Sequence, residues 1–242
     1  MFRVLLRSFY IQSTWNSERL LGLGFCFCLI PIAHRLFESK EELIYFLQRH
    51  LDFFNSHPYT ATYALGAIAN IEEQASIKKW EDKRPITVFK SRVIGPLGAL
   101  GDTFFWQLVR PILGFVGIVL LSVIGIWGLV LYLFVYNAFH FGIRIKGLID
   151  SYSKGFDIVR TLSMRRTTKY FRIIKYVFAS VMGLGLAVIM NNLVYEQASW
   201  NGLMVFGVSL VVSFLLVRRQ KINIDLLIII IVCCAIILGL VI

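Results

Sequence analysis

Acidic residues are scarce in this chain. Its 242 residues include 14 Asp and Glu against 25 Lys and Arg, a formal net charge of +11. No aromatic-basic RNA-binding motif and no zinc-finger spacing accompanies the excess cations, which argues against nucleic acid as a partner. Cysteine is equally sparse: Cys26, Cys28, Cys233 and Cys234 are the whole set, and each pair lies inside an apolar run. Metal sites use wider spacing and companion ligands, so these cysteines read as small packing residues and no metal site is expected. There is no Ser-His-Asp arrangement, no hydrolase-like carboxylate pair and no phosphate loop, so neither catalytic residues nor a cofactor is expected. Gly95, Gly98 and Gly101 do not have the dinucleotide spacing and suit close helix packing better. No small-residue cleavage site follows Met1–Tyr10, so the N-terminus does not read as a signal peptide.

What the chain has in quantity is apolar surface. Hydrophobic residues make up 57% and mean hydropathy is +0.72. Tyr176–Tyr195, Gln197–Val217 and Leu226–Ile242 are free of charge, and about 20 such residues cross the hydrocarbon of a bilayer. The expected class is an all-α integral membrane protein. It should combine several transmembrane helices with re-entrant or broken half-helices and an N-terminal amphipathic helix. With no linker and no repeat, residues 1–242 read as one domain. Within it, 1–19 forms an interfacial amphipathic segment, 20–143 short or broken helices and spans, 144–175 a basic cytoplasmic segment, and 176–242 three C-terminal spans. In the first segment Phe2, Leu5, Leu6 and Phe9 should face lipid while Arg3 and Arg7 face water.

The cations cluster at Lys78–Arg92, Arg144–Lys175 and Arg218–Lys221. Positive charge marks the cytoplasmic side of a membrane protein, which would leave the C-terminus extracytoplasmic. Such a face would also attract anionic membrane lipid or an acidic, phosphorylated partner. Between Arg92 and Arg144 only Asp102 and Arg110 are charged. Basic flanks on both sides require an even number of crossings or re-entrant pieces there, and the length suffices for two. Leu20–His34 and Tyr59–Ile71 are too short to cross simply and suit half-helices, a pattern that belongs to transporter binding regions.

Polar residues inside such segments are the candidate sites. In FFNSHPYTATYALGAIANIEEQ, Thr62, Gly66, Asn70 and Glu73 form one helical stripe, preceded by Asn55, Ser56, His57 and Pro58. The plainer reading of Glu72 and Glu73 is a helix end whose carboxylates reach the aqueous interface. In GPLGALGDTFFWQLVRP, Asp102, Trp106 and Arg110 recur every four residues, flanked by Thr103 and Gln107. Asp102 could instead be an N-cap or pair with Arg110. A carboxylate beside an indole suits a sugar: the former accepts hydroxyl hydrogen bonds and the latter covers the C–H face. Trp15, Asn16, Glu18 and Arg19 read as an entry turn, and His140 as a structural histidine.

Taken in order, these blocks resemble the IID component of the mannose/fructose/sorbose class of the bacterial phosphoenolpyruvate-dependent sugar phosphotransferase system (PTS). The resemblance rests on STWNSERLLGLGFCFCLIP, RHLDFFNSHPYTATYALGAIANIEEQ, GPLGALGDTFFWQLVRPI, YSKGFDIVR and the basic-plus-apolar tail from Val217. It implies a bacterial inner-membrane subunit that is no enzyme alone. Such chains pair with a IIC membrane chain and assemble as trimers of IIC–IID pairs. The pair moves a hexose that cytoplasmic IIB, phosphorylated on histidine by IIA, then phosphorylates. Substrate-region candidates are then Asn55, His57, Asn70, Glu73, Asp102, Trp106 and Arg110. Charge alone makes Arg144, Lys146, Lys154, Arg165 and Arg166 candidates for docking the cytoplasmic partner. The connector at 190–202 is shorter than is usual in the family, which motivates one rival: a transport-inactive scaffold or receptor-like subunit with the same fold.

Overall fold

In the computed structural model the described residues are 1–161. They are helical, with two isolated bridges (Asn16 with Leu20, Leu20 with Phe54) and no strand among them. The elements are α1 (Phe2–Ser8), α2 (Gly22–Leu36), α3 (Lys40–His50), α4 (Ala61–Ile77), α5 (Arg84–Gly101), a π-helical segment (Asp102–Val109), α6 (Arg110–Ile124) and α7 (Ile126–Lys154). A 3-10 turn, Gly155–Asp157, leads into α8 (Ile158–Thr161). The expected C-terminal spans, Arg165, Arg166 and the 190–202 connector lie outside the described residues.

Local chemistry explains the helix ends. Ser39 caps α3 by accepting from the Glu42 amide at 3.2 Å, and Glu41 and Glu42 in the first turn oppose Arg49 and His50 in the last. At the other end, buried Lys90 donates to the carbonyls of His50 and Asp52, both at 3.0 Å. It thereby satisfies acceptors that a helix end leaves open. α4 ends in a Schellman turn: Lys79 takes φ 50°, and the Trp80 amide returns to the Ala75 carbonyl at 2.9 Å. In α2, Pro31 has no amide to offer the Phe27 carbonyl. Arg7 Nη1 fills that place from α1 at 3.0 Å, with its guanidinium over the Phe27 ring.

The core gathers Phe25, Leu29, Phe46, Phe54, Leu65, Ile68, Ile71 and Ile86 around α4. α4 packs along α7, and α7 along α6. Gly66 lies on the α7 backbone at Leu148 and on Ser151, while Gly147 lies on Thr62 and Tyr63. Small residues at both crossings let the two backbones approach. The helix from Arg84 to Ile124 is continuous over 41 residues, and Ile126–Thr161 adds 36. Both are long and apolar enough to cross a membrane. They fold back at Gly125, whose φ of 64° only glycine adopts at little cost. Two helices long enough to cross thus meet at Gly125, between Arg92 and Arg144.

Several expectations change. The helix is continuous through Asp102, which therefore does not cap it. Glycine packing holds at Gly101 and loosely at Gly98, whereas Gly95 faces open space. α1 turns Val4 and Ser8 inward and exposes Phe2, Leu6 and Phe9. Leu5 packs against the core instead of facing lipid.

Candidate functional site

The loop that carries Asn55, Ser56 and His57 is pinned from two sides. Asn16 Oδ1 accepts from the amides of Glu18 at 3.1 Å and Arg19 at 2.8 Å, a local Asx turn. The Leu21 amide then donates to the Phe54 carbonyl at 2.9 Å. Trp15-Asn16-Ser17-Glu18-Arg19 is thus an entry turn that fixes the residues after Phe54. On the far side, Thr60 Oγ1 donates to the Leu97 carbonyl at 2.8 Å. Gly101 admits the His57 ring and Thr60 where a Cβ would collide with both.

His57 is the centre of the arrangement. Its ring stacks on Phe105 at 5.1 Å and lies 5.0 Å from Trp106 and 4.9 Å from Tyr59. Its Nδ1 accepts from the Tyr59 amide at 3.2 Å. That acceptor role leaves the proton of a neutral ring on Nε2. Nε2 is buried and has no partner among the described residues, and the same holds for Oγ of the preceding residue, Ser56. Burial first, then the nearby Arg144 and His140, lowers the His57 pKa to about 4.

The π-helical segment presents Asp102, Trp106 and Gln107 on its exposed side. Trp106 is 40% exposed and carries the Arg110 guanidinium over its ring at 5.3 Å. Among the described residues Asp102 forms no ion pair with Arg110. Behind this face, the Tyr59 hydroxyl meets that of Tyr136 at 3.3 Å, and the Tyr59 ring lies on His140 at 3.9 Å. Tyr132, Tyr136, His140 and Arg144 recur every four residues along α7. That spacing is the sequence signal from which the second wall of the cluster could have been read.

Structure therefore gathers His57, Trp106 and Arg110, with Asp102 beside Gly101, and leaves two predicted members elsewhere. Asn70 and Glu73 sit on the same helix as the His57 loop but about 14 and 18 Å further along, at 1.5 Å per residue from Ala61. Asn70 Oδ1 accepts from Gln74 at 2.8 Å and lies against Gly155. Glu73 accepts from Tyr152 and pairs with Arg35 at 3.1 Å. The stripe Thr62–Gly66–Asn70–Glu73 is the seam with α7. Asn55 is exposed in the loop ahead of His57.

The plainer reading of Glu72, at an aqueous interface, is overturned. Its carboxylate is fully buried, bound by Arg49 at 2.8 Å and by His50 Nε2 at 2.8 Å. Arg144 is corrected as a docking residue, because it is 3% exposed. It donates to the Ser8 carbonyl at 2.5 Å and to His140 at 2.7 Å. Lys146 and Lys154 are exposed. Among the described residues no cluster of His, Cys, Asp and Glu could hold a metal ion.

The whole chain, residues 1–242, matches the model of the PTS system mannose/fructose/sorbose family IID component. It is 36% identical over 160 residues to the mannose-specific EIID component of Escherichia coli K12, an alignment covering 66% of this chain and 56% of that protein. It is 32% identical over 184 residues to the fructose permease IID component of Bacillus subtilis 168, covering 76% and 65%. The matched region thus spans little more than half of the first relative and just under two thirds of the second. Among solved structures, a chain from the cryo-EM complex of the mannose transporter ManYZ with microcin E492 superposes with a TM-score of 0.62 and 27% identity, covering 97% of this chain and 93% of that one. With an all-helical membrane fold and a match over its full length, the chain belongs to the mannose/fructose/sorbose family of PTS IID components.

Proposed function

We propose that this chain is the IID subunit of a sugar-transporting membrane complex, pairs with a IIC chain in the bacterial inner membrane, and helps carry a hexose to phosphorylated IIB. The observation that carries this reading beyond the family is the His57 cluster. A buried imidazole N–H lies beside a half-exposed indole, and it and the buried hydroxyl of the preceding serine have no partner among the described residues. Buried donors of that kind are costly unless something accepts from them. A sugar offers oxygens to such donors and an apolar C–H face to Trp106. Asp102, exposed on the same helical segment and without an ion pair among the described residues, would accept from sugar hydroxyls, and Arg110 would hold the Trp106 ring in place.

In this reading the chain contributes binding and orientation and no covalent chemistry. The phosphohistidine belongs to IIA and IIB, and the complex is a trimer of IIC–IID pairs. Exposed Lys146 and Lys154 are offered to the cytoplasmic partner, and the C-terminus is extracytoplasmic. Membrane vesicles containing the IIC chain and phosphorylated IIB test the reading directly. Hexose phosphorylation should require this chain. Phosphorylation that proceeds equally without it, while the chain still binds IIC, would instead identify a scaffold subunit.

A further inference from the structure

Three stripes run along the start of the chain. Val4, Ser8 and Ile11 turn inward and are buried. Phe2, Leu6 and Phe9, at four- and three-residue spacing, stay 71%, 48% and 38% exposed. Arg3 and Arg7 form the third stripe, and Arg7 is already committed to the Phe27 carbonyl. A cavity of about 510 Å³ opens between α1 and the last turns of α2, lined by Phe2, Arg3, Pro31, Ile32, His34 and Arg35 among others. No carboxylate lines it among the described residues. Arg35 shares its charge with Glu73 through Nη2 at 3.1 Å, yet its side chain is 46% exposed.

We propose that this cavity seats the phosphate of an anionic phospholipid, with the acyl chains lying along the Phe2–Leu6–Phe9 stripe. Guanidinium groups from two helices suit a phosphate, since each presents a planar fork of donors to its oxygens. His34 supplies a further ring nitrogen. The adjacent apolar stripe favours a lipid over free phosphate: a small anion would use the cations and leave the aromatic side chains without a role. Cations beside exposed Phe and Leu are what a helix at the boundary of headgroup and acyl chain presents. The site lies on α1 and α2, and its occupancy does not depend on which sugar, if any, is carried.

The test uses the full-length chain with its IIC partner in nanodiscs of mixed phosphatidylglycerol and phosphatidylcholine, with retained lipid counted by native mass spectrometry. Phosphatidylglycerol should be retained over phosphatidylcholine by about tenfold, the preference that one or two surface cations give. Arg3→Gln combined with His34→Gln should bring the ratio close to one, and Arg3→Lys should keep most of it. Millimolar inorganic phosphate should leave the retained lipid in place. Equal retention of the two lipids by the unmodified chain overturns the proposal. So does an unchanged ratio in the double variant, displacement by phosphate, which would mark a free-anion site, or loss of all retained lipid, which would mean that IIC covers the stripe. The lipid ratio and the phosphate competition need no variant, so a folding defect in the double variant leaves the proposal testable.

Discussion

Arg49 and Glu72 form a two-point ion pair across 23 positions of sequence, Nε to Oε1 at 2.8 Å and Nη2 to Oε2 at 3.0 Å. Glu72 is fully buried and Arg49 nearly so, so removing one partner strands a charge in the interior. Breaking such a pair costs about 3–5 kcal/mol. Glu72→Gln should therefore lower the thermal unfolding midpoint of the detergent-solubilised chain sharply. Its neighbour Glu73 is 27% exposed, and Glu73→Gln should cost about 1 kcal/mol or less, in the range of solvent-screened pairs. Equal effects of the two variants would refute the division of roles.

Arg7 and Pro31 should be energetically coupled although they do not bond each other. Pro31 frees the Phe27 carbonyl, and Arg7 answers it. In Pro31→Ala the residue's own amide can serve that carbonyl, so Arg7 becomes dispensable there. A double-mutant cycle with Arg7→Met and Pro31→Ala should give a coupling of about 1 kcal/mol, the scale of one hydrogen bond. Strict additivity of the two unfolding midpoints would show that the arginine is held for its ring contact with Phe27 alone.

Acid should destabilise the fold in a window set by two histidines. Burial holds the His50 pKa below its ordinary 6.5, against the opposing hydrogen bond that His50 donates to Glu72, and its Nδ1 has no acceptor for a second proton among the described residues. His57 is lowered to about 4. Below 6.5 the unfolded chain takes up protons that the folded chain refuses, so stability is complete above that pH and declines beneath it. Burial alone would raise Glu72, but His50 and Arg49 together hold it below 4.5, which adds a second loss at still lower pH. The unfolding midpoint should be level above about pH 7 and fall below about 6.5. His57→Gln should reduce the slope by about one proton. A midpoint level down to pH 5 would contradict both assignments.

The sequence made some of this legible and hid the rest for physical reasons. Apolar runs and the two basic flanks told of an even number of crossings or re-entrant pieces between Arg92 and Arg144, because length and charge act locally. The Thr62–Gly66–Asn70–Glu73 stripe was visible as a face, but what it faces was not: α7 arrives some eighty residues later, carrying Gly147, Ser151 and Tyr152. Glu72 and Glu73 look alike in a helical pattern, and only the positions of α3 and α2 send one to Arg49 and the other to Arg35. Arg144 reads as a surface cation until α1 places the Ser8 carbonyl on it. Asp102 after Gly101 resembles a helix start, yet the helix passes through it into a π-helical turn. At Glu72 and Arg144 a long-range contact overrides a sound local signal.

Asp102 and Glu73 supply the decisive comparison for the proposed sugar site. Asp102 is exposed and forms no ion pair among the described residues, so Asp102→Asn should leave folding and assembly with IIC intact. If the carboxylate accepts from a sugar hydroxyl, losing its charge removes about 1.5–3 kcal/mol, a loss of roughly tenfold or more in hexose phosphorylation. Trp106→Ala should act in the same direction by uncovering the sugar's C–H face, with Trp106→Phe recovering part of the rate. Glu73→Gln lies at the α4–α7 seam and should leave phosphorylation per assembled complex unchanged. The signature is thus a rate lost without stability at Asp102 and a little stability lost without rate at Glu73. The reverse outcome would move the sugar path to the α7 seam and return the His57 cluster to a purely structural role.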